Sequence, residues 1–182
     1  MASIYVASLS DYNNGVLHGE WYDLDDYANH EDLTDAVQEM LAKSPTAKED
    51  GLPAEEWAIH DHEGFGGYEV SEYAWFDMLF ALHEAFNDHG NGFAAYLKGV
   101  TSENPSTPED VESLVESFQD EFVGEMTLAE YAEEYVEDCL FTPETSDSLR
   151  NYFDYEAFAR DMGYDGYCEV HYGTTTYTFR PA

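Results

Sequence analysis

The chain has 182 residues, of which 40 are Asp or Glu and only six are Lys or Arg, giving a formal charge of −34 at neutral pH. So much negative charge argues against binding nucleic acid or an anionic membrane and points to a partner with a basic surface, such as a DNA-binding groove. Hydrophobic residues make up 43% and aromatics 16%, which excludes an acidic disordered tail, since such tails carry too little apolar surface to offset chain entropy.

The opening Met1-Ala2-Ser3-Ile4-Tyr5 has neither a basic start nor a long apolar run. No later stretch approaches the roughly 18 apolar residues of a membrane span. The expectation is a soluble protein of the cytoplasm. Cys139 and Cys168 are too few for a disulfide scaffold and lack CxxC spacing, so both are expected as small core residues.

In chain order, Ser3 to Leu9 and Val16 to Leu24 are β-rich runs separated by the turn-forming Asp11-Tyr12-Asn13-Asn14-Gly15. Leu33, Val37, Met40 and Leu41 recur at helical spacing and predict a helix from about Glu31 to Lys43, after which Glu56 to His60 returns to strand character. Gly64-Phe65-Gly66-Gly67 closes a first α+β module at residues 1–67. A helical middle module follows at 68–105. Ser71 is predicted to cap a helix carrying Tyr73, Trp75, Phe76, Met78, Leu79, Phe80, Leu82 and Phe86, apolar on nearly every side and therefore buried. Gly90 and Gly92 stop that helix, and Phe93 to Lys98 forms a shorter one ended by Gly99.

The third module, 106–182, opens with Thr107 as N-cap, Pro108 at the first helical position, and Glu109 and Asp110 in the first turn. That helix runs to about Phe122. Thr127-Leu128-Ala129-Glu130 is a capping-box pattern for a helix through Cys139, and Asp154 starts another that ends at Gly163. Tyr167 to Tyr172 and Thr175 to Phe179, around Gly173, read as a closing hairpin. The fold class expected is α+β, in three small modules with small antiparallel sheets and helices at both ends and a helical middle.

No Lys or Arg occurs between Lys98 and Arg150. The carboxylates of that interval that form the candidate partner-binding set are Glu109, Asp110, Glu112, Glu116, Asp120, Glu121, Glu125, Glu130, Glu133, Glu134, Glu137 and Asp138. At about 100° per residue from Glu109, Val111, Leu114, Val115, Phe118 and Phe122 fall within about 140° to 240°, while Glu109, Glu112, Glu116 and Asp120 fall within about 300° to 20°. One face is core and the other is a stripe of carboxylates about 5.5 Å apart along the axis. The next helix repeats the pattern, with Leu128, Tyr131, Ala132, Tyr135, Val136 and Cys139 inward and Glu130, Glu133, Glu134 and Glu137 outward. Like charges at this spacing destabilise a helix by a few tenths of a kcal/mol per pair. B-DNA carries one charge per roughly 1.7 Å, so a charge of −34 matches about 58 Å of duplex.

Signs of catalysis are sparse. His60-Asp61-His62-Glu63 lies at the end of a strand, where alternate residues face opposite ways and the four side chains cannot converge on one metal. His83 and His89 are six apart on a helix and diverge. Asp11 to Gly15 resembles the start of a calcium loop but has its glycine one position early and no bidentate Glu at the required distance. Neither GxSxG nor a P-loop is present. No cofactor or metal is expected.

Three stretches together resemble the ArdA family of antirestriction proteins: Ile4 to Leu24 (IYVASLSDYNNGVLHGEWYDL), Glu55 to Phe65 (EEWAIHDHEGF) and Ser148 to Met162 (SLRNYFDYEAFARDM). The resemblance implies a non-catalytic protein encoded by mobile elements that acts in the host bacterial cell. Such a protein mimics the shape and charge of bent B-form DNA, occupies the DNA-binding groove of the methyltransferase core of type I restriction-modification enzymes, and protects incoming DNA. It further implies an elongated arrangement of modules and a homodimer formed through the C-terminal module. The phosphate-like residues match the helix of Glu130, Glu133, Glu134, Glu137 and Asp138. Asn151, Tyr152, Asp154, Tyr155 and Phe158 belong to the matching C-terminal motif, which is read as structural and dimer-forming. Two other classes stay open: a general acidic module that shields basic proteins, and a hydrolase dependent on one carboxylate.

Overall fold

The computed structural model describes residues 1–182. The elements are β1 (Ser3–Ser8), α1 (Leu9–Asn13), β2 (Gly19–Asp23), α2 (His30–Ala42), α3 (Pro45–Asp50), β3 (Trp57–Glu63), α4 (Phe76–Gly99), α5 (Pro108–Glu121), β4 (Phe122–Gly124), α6 (Leu128–Tyr135), α7 (Asp147–Tyr152), α8 (Tyr155–Tyr164), β5 (Cys168–Tyr172) and β6 (Thr175–Phe179). With two three-stranded antiparallel sheets among these helices, the fold is α+β. The chain divides into two compact units, residues 1–90 with 104–114, and residues 91–103 with 115–182.

In the first unit the sheet order is β2-β1-β3. Ile4 and Val6 alternate inward along β1 and are fully buried, as are Leu33, Val37 and Met40 on one face of α2, the two periodicities that sequence patterning predicts. Asn29 caps α2 by accepting from Glu31 N and Asp32 N. The sheet closes tightly at Gly64: its φ is +81°, and a Cβ there would lie 2.0 Å from the Met1 carbonyl oxygen, so no larger residue fits.

Two local expectations are corrected here. Residues 11–13 are helical, as part of α1, and the turn is confined to Asn14 and Gly15. The cause is that Ser8 caps the helix and Asp11 is drawn inside to accept from Thr46 N at 2.9 Å. Burial alone would raise the Asp11 pKa, but Ser44, Ser8 and Thr46 donors outweigh it and hold the carboxyl well below the usual range. Ser71 organises a turn instead of capping α4, its carbonyl accepting from Ala74 N at 3.0 Å, and the helix begins only at Phe76. Tyr73 and Trp75 are consequently exposed, at 64% and 74%, outside the apolar helix to which their spacing assigned them.

At Gly90 the backbone takes φ 58° and ψ −142°, the break in α4 that the glycines predicted. In the second unit the sheet order is β4-β6-β5, with β5 and β6 forming the expected hairpin. Phe118 sits in an aromatic core with Phe93, Tyr96, Phe122 and Phe179, at centroid distances between 4.9 and 6.5 Å. A smaller cluster of Ala132, Ala159 and Met162 joins α6 to α8. Beyond α6 the helix continues as a π turn, Val136–Leu140. That turn corrects the expectation for Cys139: with Phe141 N bonded to Val136 O at 2.9 Å, the chain is underwound and Cys139 leaves the buried face for solvent. Cys168 is half-buried, and burial raises its thiol pKa.

Candidate acidic interaction surface

The acidic face of α6 is built from its first turn. Thr127 accepts from Glu130 N at 3.2 Å, while Glu130 Oε2 accepts from both the backbone N and the hydroxyl of Thr127 at 2.8 Å, a complete capping box. These donors hold the Glu130 carboxyl below its usual pKa. Ala132 and Val136 are fully buried, which turns Glu130, Glu133, Glu134, Glu137 and Asp138 outward around a shallow recess lined by those five carboxylates. Glu169, reaching from β5, accepts from Leu128 N and stabilises the start of the helix; a partner 41 residues away leaves no local sequence signature.

In α5, Val111, Leu114 and Phe118 are buried and Glu109, Glu112, Glu116 and Asp120 are exposed, the division the 100° periodicity predicted. Asp110 is exposed but engaged: its Oδ2 accepts from Ser106 N, Ser106 Oγ and Thr107 N, each at 2.9 Å, which lowers its pKa. Arg180 Nε donates to the Asp120 carbonyl, leaving the carboxylate on the surface. Glu125 is exposed. Glu121 differs from the rest of the sequence-derived set. It is only 9% exposed and accepts from the Tyr96 hydroxyl at 3.0 Å, so it is not presented to solvent with the others. Its position about 120° from Glu109 on the helical wheel, at the edge of the apolar arc, was the available sign.

Glu137 is exposed but bound. Its Oε2 accepts from Arg150 Nη1 and its Oε1 from the Tyr155 hydroxyl at 2.5 Å. Of the residues read as dimer-forming, Asn151 and Tyr152 are exposed, Tyr152 at 90%. Tyr155 is turned to Glu137, and Phe158 stacks on Tyr135 with centroids 6.2 Å apart and packs against the Ala132 cluster.

No group of three His, Cys, Asp or Glu side chains is arranged to hold a metal ion. His60 packs edge-on to Tyr12, while His62 Nε2 accepts from Val70 N at 3.2 Å. His83 is buried and bonded to Asp25 Oδ1 at 2.8 Å.

Each of these two helices carries exposed carboxylates opposite a buried apolar face. The model of the antirestriction protein family ArdA matches residues 4–176 of the chain. The chain belongs to the ArdA antirestriction family. The match runs through the middle of the chain as well as through the three stretches at Ile4 to Leu24, Glu55 to Phe65 and Ser148 to Met162. Comparison with curated proteins gave no match. No helix of this ArdA-family chain is long and apolar enough to cross a membrane.

Proposed function

We propose that this ArdA-family protein inhibits type I restriction-modification enzymes by occupying the DNA-binding groove of their methyltransferase core, with exposed carboxylates in place of DNA phosphates. The observation that carries this reading is the run Glu130, Glu133, Glu134 and Asp138 held on the outer side of a helix whose Ala132 and Val136 are fully buried, within a chain of formal charge −34. Glu109, Glu112, Glu116 and Asp120 extend the same chemistry on α5, and Glu125 adds a further exposed carboxylate. Groups of this kind stabilise a complex through many weak contacts and released counterions.

The protein acts without catalysis, in the cytoplasm of a bacterial host that has received a mobile element. It works as a homodimer joined through the C-terminal segment, where Asn151 and Tyr152 present the surface, while Tyr155 and Phe158 support it from within. The deciding experiment is competition. The purified chain should displace duplex DNA from a type I methyltransferase core at near-stoichiometric amounts, with an affinity that falls between about 50 and 200 mM salt. Simultaneous binding of DNA and the chain refutes groove occupation, and equal affinity for unrelated basic proteins favours a general acidic shield.

A further inference from the structure

Glu137 differs from its neighbours on the acidic face in having both carboxylate oxygens engaged by its own chain. Arg150 donates to one oxygen and the Tyr155 hydroxyl to the other at 2.5 Å. Arg150 is itself fixed twice more, by a 3.2 Å hydrogen bond from Nη2 to the Thr142 carbonyl and by its guanidinium lying 4.7 Å from the Phe141 ring centroid. Phe141 packs edge-on against Phe153 at 5.4 Å, and Phe153 against Tyr155 at 5.0 Å and Phe158 at 5.8 Å.

These contacts close a ring around the segment 141–155. They matter because α7, inside that segment, has no buried residue of its own. A six-residue helix without a core-facing side is not stable alone. Its place is set by what its ends touch: Ser146 caps it, accepting from Leu149 N at 3.3 Å, and Arg150 ties its last turn to Glu137. Exposed Leu149, at 56%, and Tyr152, at 90%, are the side chains it displays.

We propose that Glu137 is a positioning residue that clamps α7 to the π turn at the end of the acidic helix through Arg150 and Tyr155, and is not one of the carboxylates a partner reads. The proposal rests on the reading that the neighbouring carboxylates face a basic groove, and it removes Glu137 from that set. With its charge neutralised by Arg150 and both oxygens occupied, Glu137 has little to offer a second cation. Glu133, Glu134 and Asp138 carry no such internal arginine. Breaking the clamp frees α7 and, with it, the display of Leu149 and Tyr152.

The test compares the full-length wild type with Glu137→Gln, Tyr155→Phe and Glu133→Gln in two measurements. The first is hydrogen exchange across residues 141–153. Exchange should rise about fivefold in Glu137→Gln and somewhat less in Tyr155→Phe, the scale of a partly exposed charged hydrogen bond, and should stay at the wild-type rate in Glu133→Gln. The second is the salt dependence of competition with duplex DNA on a type I methyltransferase core. Glu133→Gln should flatten it by the loss of one contact, whereas Glu137→Gln should keep the wild-type slope.

Unchanged exchange in Glu137→Gln overturns the clamp, and so does a salt slope flattened as much by Glu137→Gln as by Glu133→Gln. If the wild-type chain displaces no DNA, the groove reading fails, and the exchange measurement alone then decides the clamp. Tyr155→Phe removes a single oxygen, so it tests the clamp even if Glu137→Gln folds poorly.

Discussion

The Tyr96 hydroxyl donates to Glu121 Oε1 at 3.0 Å, and both residues are buried. A carboxylate inside an aromatic core needs that donor, because a buried acceptor without a partner costs roughly 1–3 kcal/mol. Glu121→Gln retains an acceptor and should leave inhibition unchanged. Tyr96→Phe should lower stability by about that amount, measured by chemical denaturation. A large loss of inhibition in a stably folded Glu121→Gln protein would show that Glu121 acts at the partner surface after all.

The same pair sets an alkaline limit. Burial first, then the Glu121 hydrogen bond and charge, push the Tyr96 pKa up to about 12. A folded-state pKa above the unfolded value of about 10 stabilises the fold fully below pH 10, and that contribution is lost as pH rises towards about 12. Thermal melting should therefore fall through this window, and the part due to Tyr96 should be absent from the Tyr96→Phe protein. An identical pH profile in the two proteins would exclude this role.

At the acid end Asp11 has the opposite sign. Its folded pKa is depressed, so its stabilisation is present above the ordinary carboxylate value and fades as pH falls through the folded one. Asp11→Ala leaves Thr46 N without its 2.9 Å acceptor and should cost about 1–3 kcal/mol at pH 7. The difference from wild type should narrow in acid, as followed by denaturation at several pH values.

Charge on the acidic helix is spread over carboxylates with different duties. Glu133→Gln alone should weaken binding by about 0.2–1 kcal/mol, the scale of one exposed pair. Glu133→Gln, Glu134→Gln and Asp138→Asn together should severely reduce inhibition while raising the melting temperature, because Glu134 and Asp138 repel at i,i+4 spacing. Including Glu130 or Glu137 in the set should erase that thermal gain, since each is hydrogen-bonded within the chain. Melting curves beside DNA-competition assays decide it; abolition of inhibition by Glu133→Gln alone would point to a single dominant carboxylate.

Tyr152 and Phe158 should separate association from folding. Tyr152 is 90% exposed, and Tyr152→Ala should leave stability within about 0.5 kcal/mol while shifting a dimer towards monomer. That monomer should inhibit at higher concentration. Phe158→Ala should instead lower stability by about 2 kcal/mol through lost packing on Tyr135 and Phe153. Sedimentation and denaturation of both variants distinguish the roles; a Tyr152→Ala protein that sediments as wild type excludes Tyr152 from the interface.

The sequence by itself determined the features whose causes are local. The 3.6-residue period separated Val111, Leu114 and Phe118 from Glu109, Glu112 and Glu116, and Thr127 with Glu130 announced a helix start whose partners lie three residues apart. The motifs at both ends likewise needed no coordinates to indicate the ArdA family. What tertiary structure decided is which carboxylates are free. Glu121 lies under Tyr96, 25 residues away, and Glu137 is held by Arg150 and Tyr155 at separations of 13 and 18. Periodicity reports which face of a helix a residue occupies, but a carboxylate's availability depends on the donors that the folded chain brings to it, and those arrive from other elements.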